Sequence, residues 1–86
     1  MRMLELPRDL RQPRYARLRE LMIEARKAAG LSQAAVAARL GRPQSYIADI
    51  KRNERRIDVI EFLALAEAIG FDALVLLRQV RDAPAE

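Results

Sequence analysis

The chain has 86 residues, of which 51% are apolar and 33% charged, with a net charge of +4. A chain this short buries only roughly 60% of its unfolded surface, so it can hold one compact core, and with two Tyr, two Phe and no Trp that core must be built from Ala, Leu, Ile and Val. It has neither Cys nor His, which excludes disulfides, His/Cys metal centres and the usual nucleophile–base pairs of enzymes.

The first twelve residues, MRMLELPRDLRQ, lack the apolar run of about seven residues that a signal peptide needs. No stretch approaches the roughly 18 apolar residues of a membrane span, and a cytoplasmic location without membrane contact is expected. Charge is unevenly spread. Residues 1–56 carry 14 Lys/Arg and 6 Asp/Glu, a net of +8, whereas residues 57–86 carry 2 and 6, a net of −4. A basic front and an acidic back suit a polyanion that docks on one side.

In chain order, residues 1–12 form a basic extension. Met3 to Leu6 alternates like a short strand that Pro7 ends, and the segment could be loosely ordered, a DNA-contacting arm or a dimer-pairing strand. A first helix is predicted from Pro13 to Ala29, with Pro13 suited to the first turn. Leu18, Leu21, Met22, Ala25 and Ala29 recur at helical spacing as its buried stripe, while Arg17, Glu20, Glu24 and Lys27 point outward. Gly30 stops it in the left-handed conformation. Ser32 caps a second helix over Gln33–Leu40, rich in the strong helix former Ala. Gly41 permits a sharp change of direction. A third helix runs from Gln44 to Arg52, and Asn53 is a plausible stop.

Asp58 and Glu61 form a capping box for a fourth helix, with Ile57 and Phe62 as its hydrophobic staple. Leu63, Ala66 and Ile69 are predicted to continue the core and Gly70 to end the helix. Asp72 caps a fifth helix, with Phe71 and Leu76 as a second staple. Leu74, Val75, Leu76, Leu77 and Val80 cover more than half of that helix, and a terminal helix so apolar seeks a second surface. A homodimer contact through Leu74, Leu76, Leu77 and Val80 is therefore expected. Residues 82–86 are expected to fray, which leaves one domain over 13–81.

The second and third helices fit a helix-turn-helix, in which the first crosses the DNA backbone and the second lies in the major groove. Val36, Leu40, Ile47 and Ile50 face inward, small Ala37 stands at the helix crossing, and Gly41 makes the turn. The stretch from about Leu18 to Leu77 resembles the Cro/lambda-repressor-like (XRE) family of bacterial and phage transcriptional regulators. The matching residues are AGLSQAAVAARLG (29–41), QSYIADI (44–50), NERR (53–56) and LALAEAIG (63–70). The resemblance implies an all-α, five-helix domain, usually dimeric, that binds double-stranded DNA at a palindromic or pseudo-palindromic operator. It implies no cofactor, and nucleoid association when the protein is bound to DNA.

Carried over by position, Gln33 would touch a phosphate and brace Gln44. Gln44 would reach a base edge, where glutamine pairs bidentately with adenine. Ser45 and Asp49 are the next outward positions, Asp49 either favouring cytosine or pairing with Arg52 or Lys51. Arg52, Arg55 and Arg56 would hold phosphates, joined by Tyr46, expected half-buried with its hydroxyl at the rim. Three positions depart from the family pattern. Pro43 stands where a Ser or Thr cap is common. Arg42 replaces an apolar residue and is free to swing toward phosphate. Lys51 replaces a frequent acid and adds positive charge.

The resulting expectation is a sequence-specific DNA-binding regulator, a repressor that acts by occupying its operator. The alternative is the antitoxin of a toxin–antitoxin pair, which binds a toxin protein and represses its own operon. An interaction module that binds no DNA is a third possibility. An enzyme is disfavoured, because no catalytic base, phosphate-cradling loop or evident carboxylate pair is present.

Overall fold

A computed structural model describes residues 13–52 and 54–83. Five helices account for most of them, and no strand occurs among the described residues. They are α1 (Pro13–Ala28), α2 (Gln33–Leu40), α3 (Gln44–Lys51), α4 (Val59–Ile69) and α5 (Ala73–Arg81). The fold is all-α, as expected. The expectations for residues 1–12, Asn53 and residues 84–86 lie outside the described residues.

Local chemistry sets the helix ends. At the end of α1 the Gly30 N–H donates to the Lys27 carbonyl and the Leu31 N–H to that of Arg26. These two bonds are those of a Schellman cap. Ala29 falls in this turn and is exposed, so it does not extend the buried stripe. The Ser32 hydroxyl accepts from the Ala35 N–H at 3.0 Å. Gly41 then adopts φ +67 while its N–H and that of Arg42 close the end of α2. A Cβ at Gly41 would meet nothing within 4 Å. The left-handed backbone therefore demands glycine here, not a lack of space. Asp58 and Glu61 complete the predicted capping box, with Asp58 accepting at 2.7 Å and Glu61 at 3.1 Å. Asp72 accepts from the Leu74 and Val75 N–H groups.

These ends set the angles at which the helices share one core. Leu21 and Met22 of α1, Val36 and Ala37 of α2, and Ile47 and Ile50 of α3 meet Phe62, Leu65 and Ile69 of α4. Leu76 of α5 closes the cluster, and the Phe62 and Phe71 rings pack at 5.7 Å. Leu65 and Val36 are fully buried, whereas Leu63, expected inside, is 44% exposed. Phe62, Leu65, Ala66 and Ile69 share the inward face at helical spacing, and Leu63 lies to its side.

α5 divides in a way that narrows the expected dimer contact. Leu76 is buried in the chain's own core, and Val80 packs against it. Neither is available as the centre of an outer face. Leu74 is 71% exposed, and Val75 and Leu77 are also exposed. Asp82 and Ala83, expected to fray, hydrogen-bond back to Arg78 and Val80.

Candidate nucleic-acid interface

α2 and α3 present one surface because Gly41 turns the chain and the small side chain of Ala37, 2% exposed, sits in the core between them. α3 buries Tyr46, Ile47 and Ile50. At 100° per residue the opposite side of α3 carries Gln44, Ser45, Ala48, Asp49 and Arg52. Gln44 and Ser45, in its first turn, are exposed.

The predicted brace between the helices is present. The Gln44 Nε2 donates to Gln33 Oε1 at 3.4 Å, a long bond that links the first residue of α3 to the first residue of α2. Pro43 precedes α3 without a side-chain cap. Asp49 accepts from Arg52 Nη2 at 2.7 Å, and Arg52 Nε also reaches Glu54 at 3.4 Å. Of the two roles considered for Asp49, pairing with Arg52 is the one seen here. The pair is well exposed, so its own contribution to stability is small. Its geometric effect is to hold Arg52 over the outward face.

Tyr46 corrects an expectation. It is 7% exposed, not half-buried. The guanidinium carbons of Arg42 and Arg55 each lie 4.6 Å from its ring centroid. Its hydroxyl interacts with Arg55 and Glu61, so it positions cations and does not itself stand out toward a phosphate. Burial, and then the Glu61 charge, push the phenol pKa up. Arg55 donates to Glu61 Oε2 at 2.5 Å. The Tyr15 hydroxyl accepts from the Ile57 N–H at 3.2 Å and ties the loop after α3 to α1. Arg42, Lys51, Arg52 and Arg56 are exposed around this surface, and Arg55 is partly exposed.

Several participants were missed in the sequence. Ala48 occupies the middle of the outward side of α3, where a methyl group suits contact with thymine. Counting residues around α3 would have found it. Glu61 acts twice, as a cap and as the partner of Arg55. Arg39 donates to the Ala68 carbonyl at 2.7 Å and pins α2 to α4. No local signal foretells either of these last contacts, because Arg55 lies in the loop before α4 and Arg39 and Ala68 lie on different helices.

Glu61 makes the site sensitive to acid. Its carboxyl is held below the ordinary glutamate range, first because the Asp58 N–H donates to it and also because Arg55 does, while burial acts in the opposite direction. A depressed folded-state pKa stabilises the fold above the unfolded-state value, and this is lost as pH falls through the folded-state value. Melting temperature should therefore drop on acidification below the ordinary glutamate range, and Glu61→Gln should reduce that drop. Parallel pH profiles for the two proteins would refute the assignment.

Comparison with known proteins bears on this surface. The helix-turn-helix family model matches residues 22–76. An XRE-family-like protein from Pseudomonas syringae pv. tomato str. DC3000 is 48% identical, with a TM-score of 0.76 over 79% of this chain and 83% of that one. The restriction-modification controller protein C.AhdI from Aeromonas hydrophila is 30% identical, with a TM-score of 0.63 over 70% of this chain and 91% of its own. The controller C.Esp1396I, solved as a tetramer with its natural 35 base-pair operator, has a TM-score of 0.67 over 76% of this chain and 86% of its own. At 17% identity that last likeness concerns the fold alone. No curated protein matches the sequence. Among the described residues, no helix is long and apolar enough to cross a membrane.

Proposed function

The chain belongs to the XRE family of helix-turn-helix DNA-binding transcription regulators, and from that premise we propose that it is a sequence-specific repressor that binds a two-fold operator as a dimer. The observation that carries this reading is the Gln33–Gln44 link beside an exposed recognition face. Gln44 reads a base edge, with Ser45 and Ala48 as its neighbours in the groove. Gln33, Arg42, Lys51, Arg52, Arg55 and Arg56 contact phosphates, and Tyr46 holds Arg42 and Arg55 in place. Asp49 serves by orienting Arg52. Leu74 and Leu77, with Val75, meet their counterparts on a second copy. Val59 and Ile60 on α4 are 72% and 73% exposed. This second apolar patch favours a protein partner in addition to DNA, which is what an antitoxin would need for its toxin.

Selection of bound sites from a random duplex pool tests the proposal. The expected product is a two-fold motif with half-site centres roughly 34 Å apart, about one helical turn. A single asymmetric site bound by a monomer in sedimentation would contradict the dimer, and recovery of unenriched sequences would contradict specificity.

A further inference from the structure

The bond between Gln33 and Gln44 fixes which way the amide of Gln44 points. Gln44 Nε2 donates one of its two N–H groups to Gln33 Oε1 at 3.4 Å. One N–H and the whole of Oε1 are left for a base edge, a donor beside an acceptor. That pair matches adenine, which offers N7 as acceptor and an N6 hydrogen as donor in the major groove. The neighbouring groups on the outward side of α3 do not repeat it. Ser45 has a single hydroxyl and Ala48 a methyl group. Asp49 is taken up by Arg52 at 2.7 Å, and Arg52 Nε turns to Glu54 at 3.4 Å. The Arg52 guanidinium, which would favour guanine, is thus committed to carboxylates of the protein. Gln44 has little room to withdraw. It follows Pro43, with φ −65, and opens a helix anchored by buried Tyr46, Ile47 and Ile50.

We infer that this site takes adenine only when its N6 amino group is unmethylated, so that a methyl mark on the operator adenine read by Gln44 keeps the protein off that site. The inference rests on the proposal that Gln44 reads a base edge, and adds which base and in which chemical state. One N6 hydrogen stays in the base pair and the other points into the groove. A methyl group that leaves the base pair intact replaces the second. In the bidentate pair, N6 and Oε1 stand about 2.9 Å apart. An N–C bond of about 1.46 Å along that line would put the methyl carbon roughly 1.5 Å from Oε1, where an ordinary C–H···O contact needs about 3.3 Å or more. Turning the amide over brings Nε2 to the same place and breaks the bond to Gln33. Either the pair is lost or the recognition helix lifts from the groove. Gln33 acts as a positioning residue, because it holds the amide where the methyl group must meet it.

Binding isotherms on synthetic duplexes provide the test. The operator is the one recovered by selection, and the adenine is the one for which Gln44→Ala loses its preference. It is compared unmodified, N6-methylated at that adenine, and N6-methylated at an adenine outside the selected motif. The unaltered chain should bind the second duplex roughly tenfold to hundredfold more weakly than the first, the loss of one bidentate base contact, and the third as tightly as the first. Gln44→Ala should bind all of them alike, because nothing is left for the methyl group to meet. In Gln33→Ala the Gln44 amide is released, so the ratio between the first two duplexes should shrink. A merely structural role for Gln33 would lower both affinities and leave that ratio unchanged. Equal affinity of the unaltered chain for the methylated and unmethylated operator overturns the inference and leaves sequence-specific binding standing. A penalty that persists in Gln44→Ala also overturns it, since the methyl group would then act through the duplex itself. If Gln44→Ala loses its preference for a base other than adenine, the assignment of adenine fails. If the unaltered chain enriches no sequence at all, the reading of Gln44 as a base reader fails as well.

Discussion

Leu65→Ala is expected to lower stability by about 2–5 kcal/mol, because it removes a buried side chain and leaves a cavity that rigid helices fill poorly. Leu65 is 1% exposed in the core where α4 packs beneath α2. A domain of this size has a total stability of only about 5–15 kcal/mol, so the variant should lose a large share of it. Leu63→Ala, two residues away on an exposed position, is expected to cost far less. Urea titration of both variants checks the assignment. Equal losses would mean that α4 is rotated from the orientation described.

Gln44→Ala is expected to cost on the order of 1–3 kcal/mol on the selected operator and little on random duplex. The side chain stands in the first exposed turn of α3, and its amide is already oriented by Gln33. Removing it takes away the base contact proposed above and also releases Gln33. Gln33→Ala should consequently be non-additive with Gln44→Ala, as expected for two residues that share a bond. An equal loss on both duplexes would make Gln44 a backbone contact and remove it as the reader.

Much of this arrangement was legible in the sequence where short-range chemistry decides. Ser32, Asp58 and Asp72 each satisfy N–H groups within three residues, and Gly30, Gly41 and Gly70 each take the left-handed conformation that ends a helix. The departures on α4 and α5 share one physical cause. α4, VIEFLALAEAI, is apolar around most of its circumference, so periodicity alone did not choose between Leu63 and Leu65. Its staple residue Phe62 would have chosen, since Phe62, Leu65, Ala66 and Ile69 form one stripe. α5 was ambiguous for the same reason until its packing on α1 turned Leu76 inward. Tyr46 was placed too far out because its surroundings come from elsewhere: Arg55 lies in the following loop and Glu61 on the next helix.

The basic face around α2 and α3 is tested most directly by duplex affinity across a salt series. Phosphate contacts release counterions, so the logarithm of the affinity should fall linearly with the logarithm of salt. About six contacts would weaken binding roughly 10³-fold between about 50 and 200 mM. The predicted result is a steep slope on both operator and random duplex, with tighter binding to the operator throughout. An affinity independent of salt, or no retention on any duplex at low salt, would contradict it.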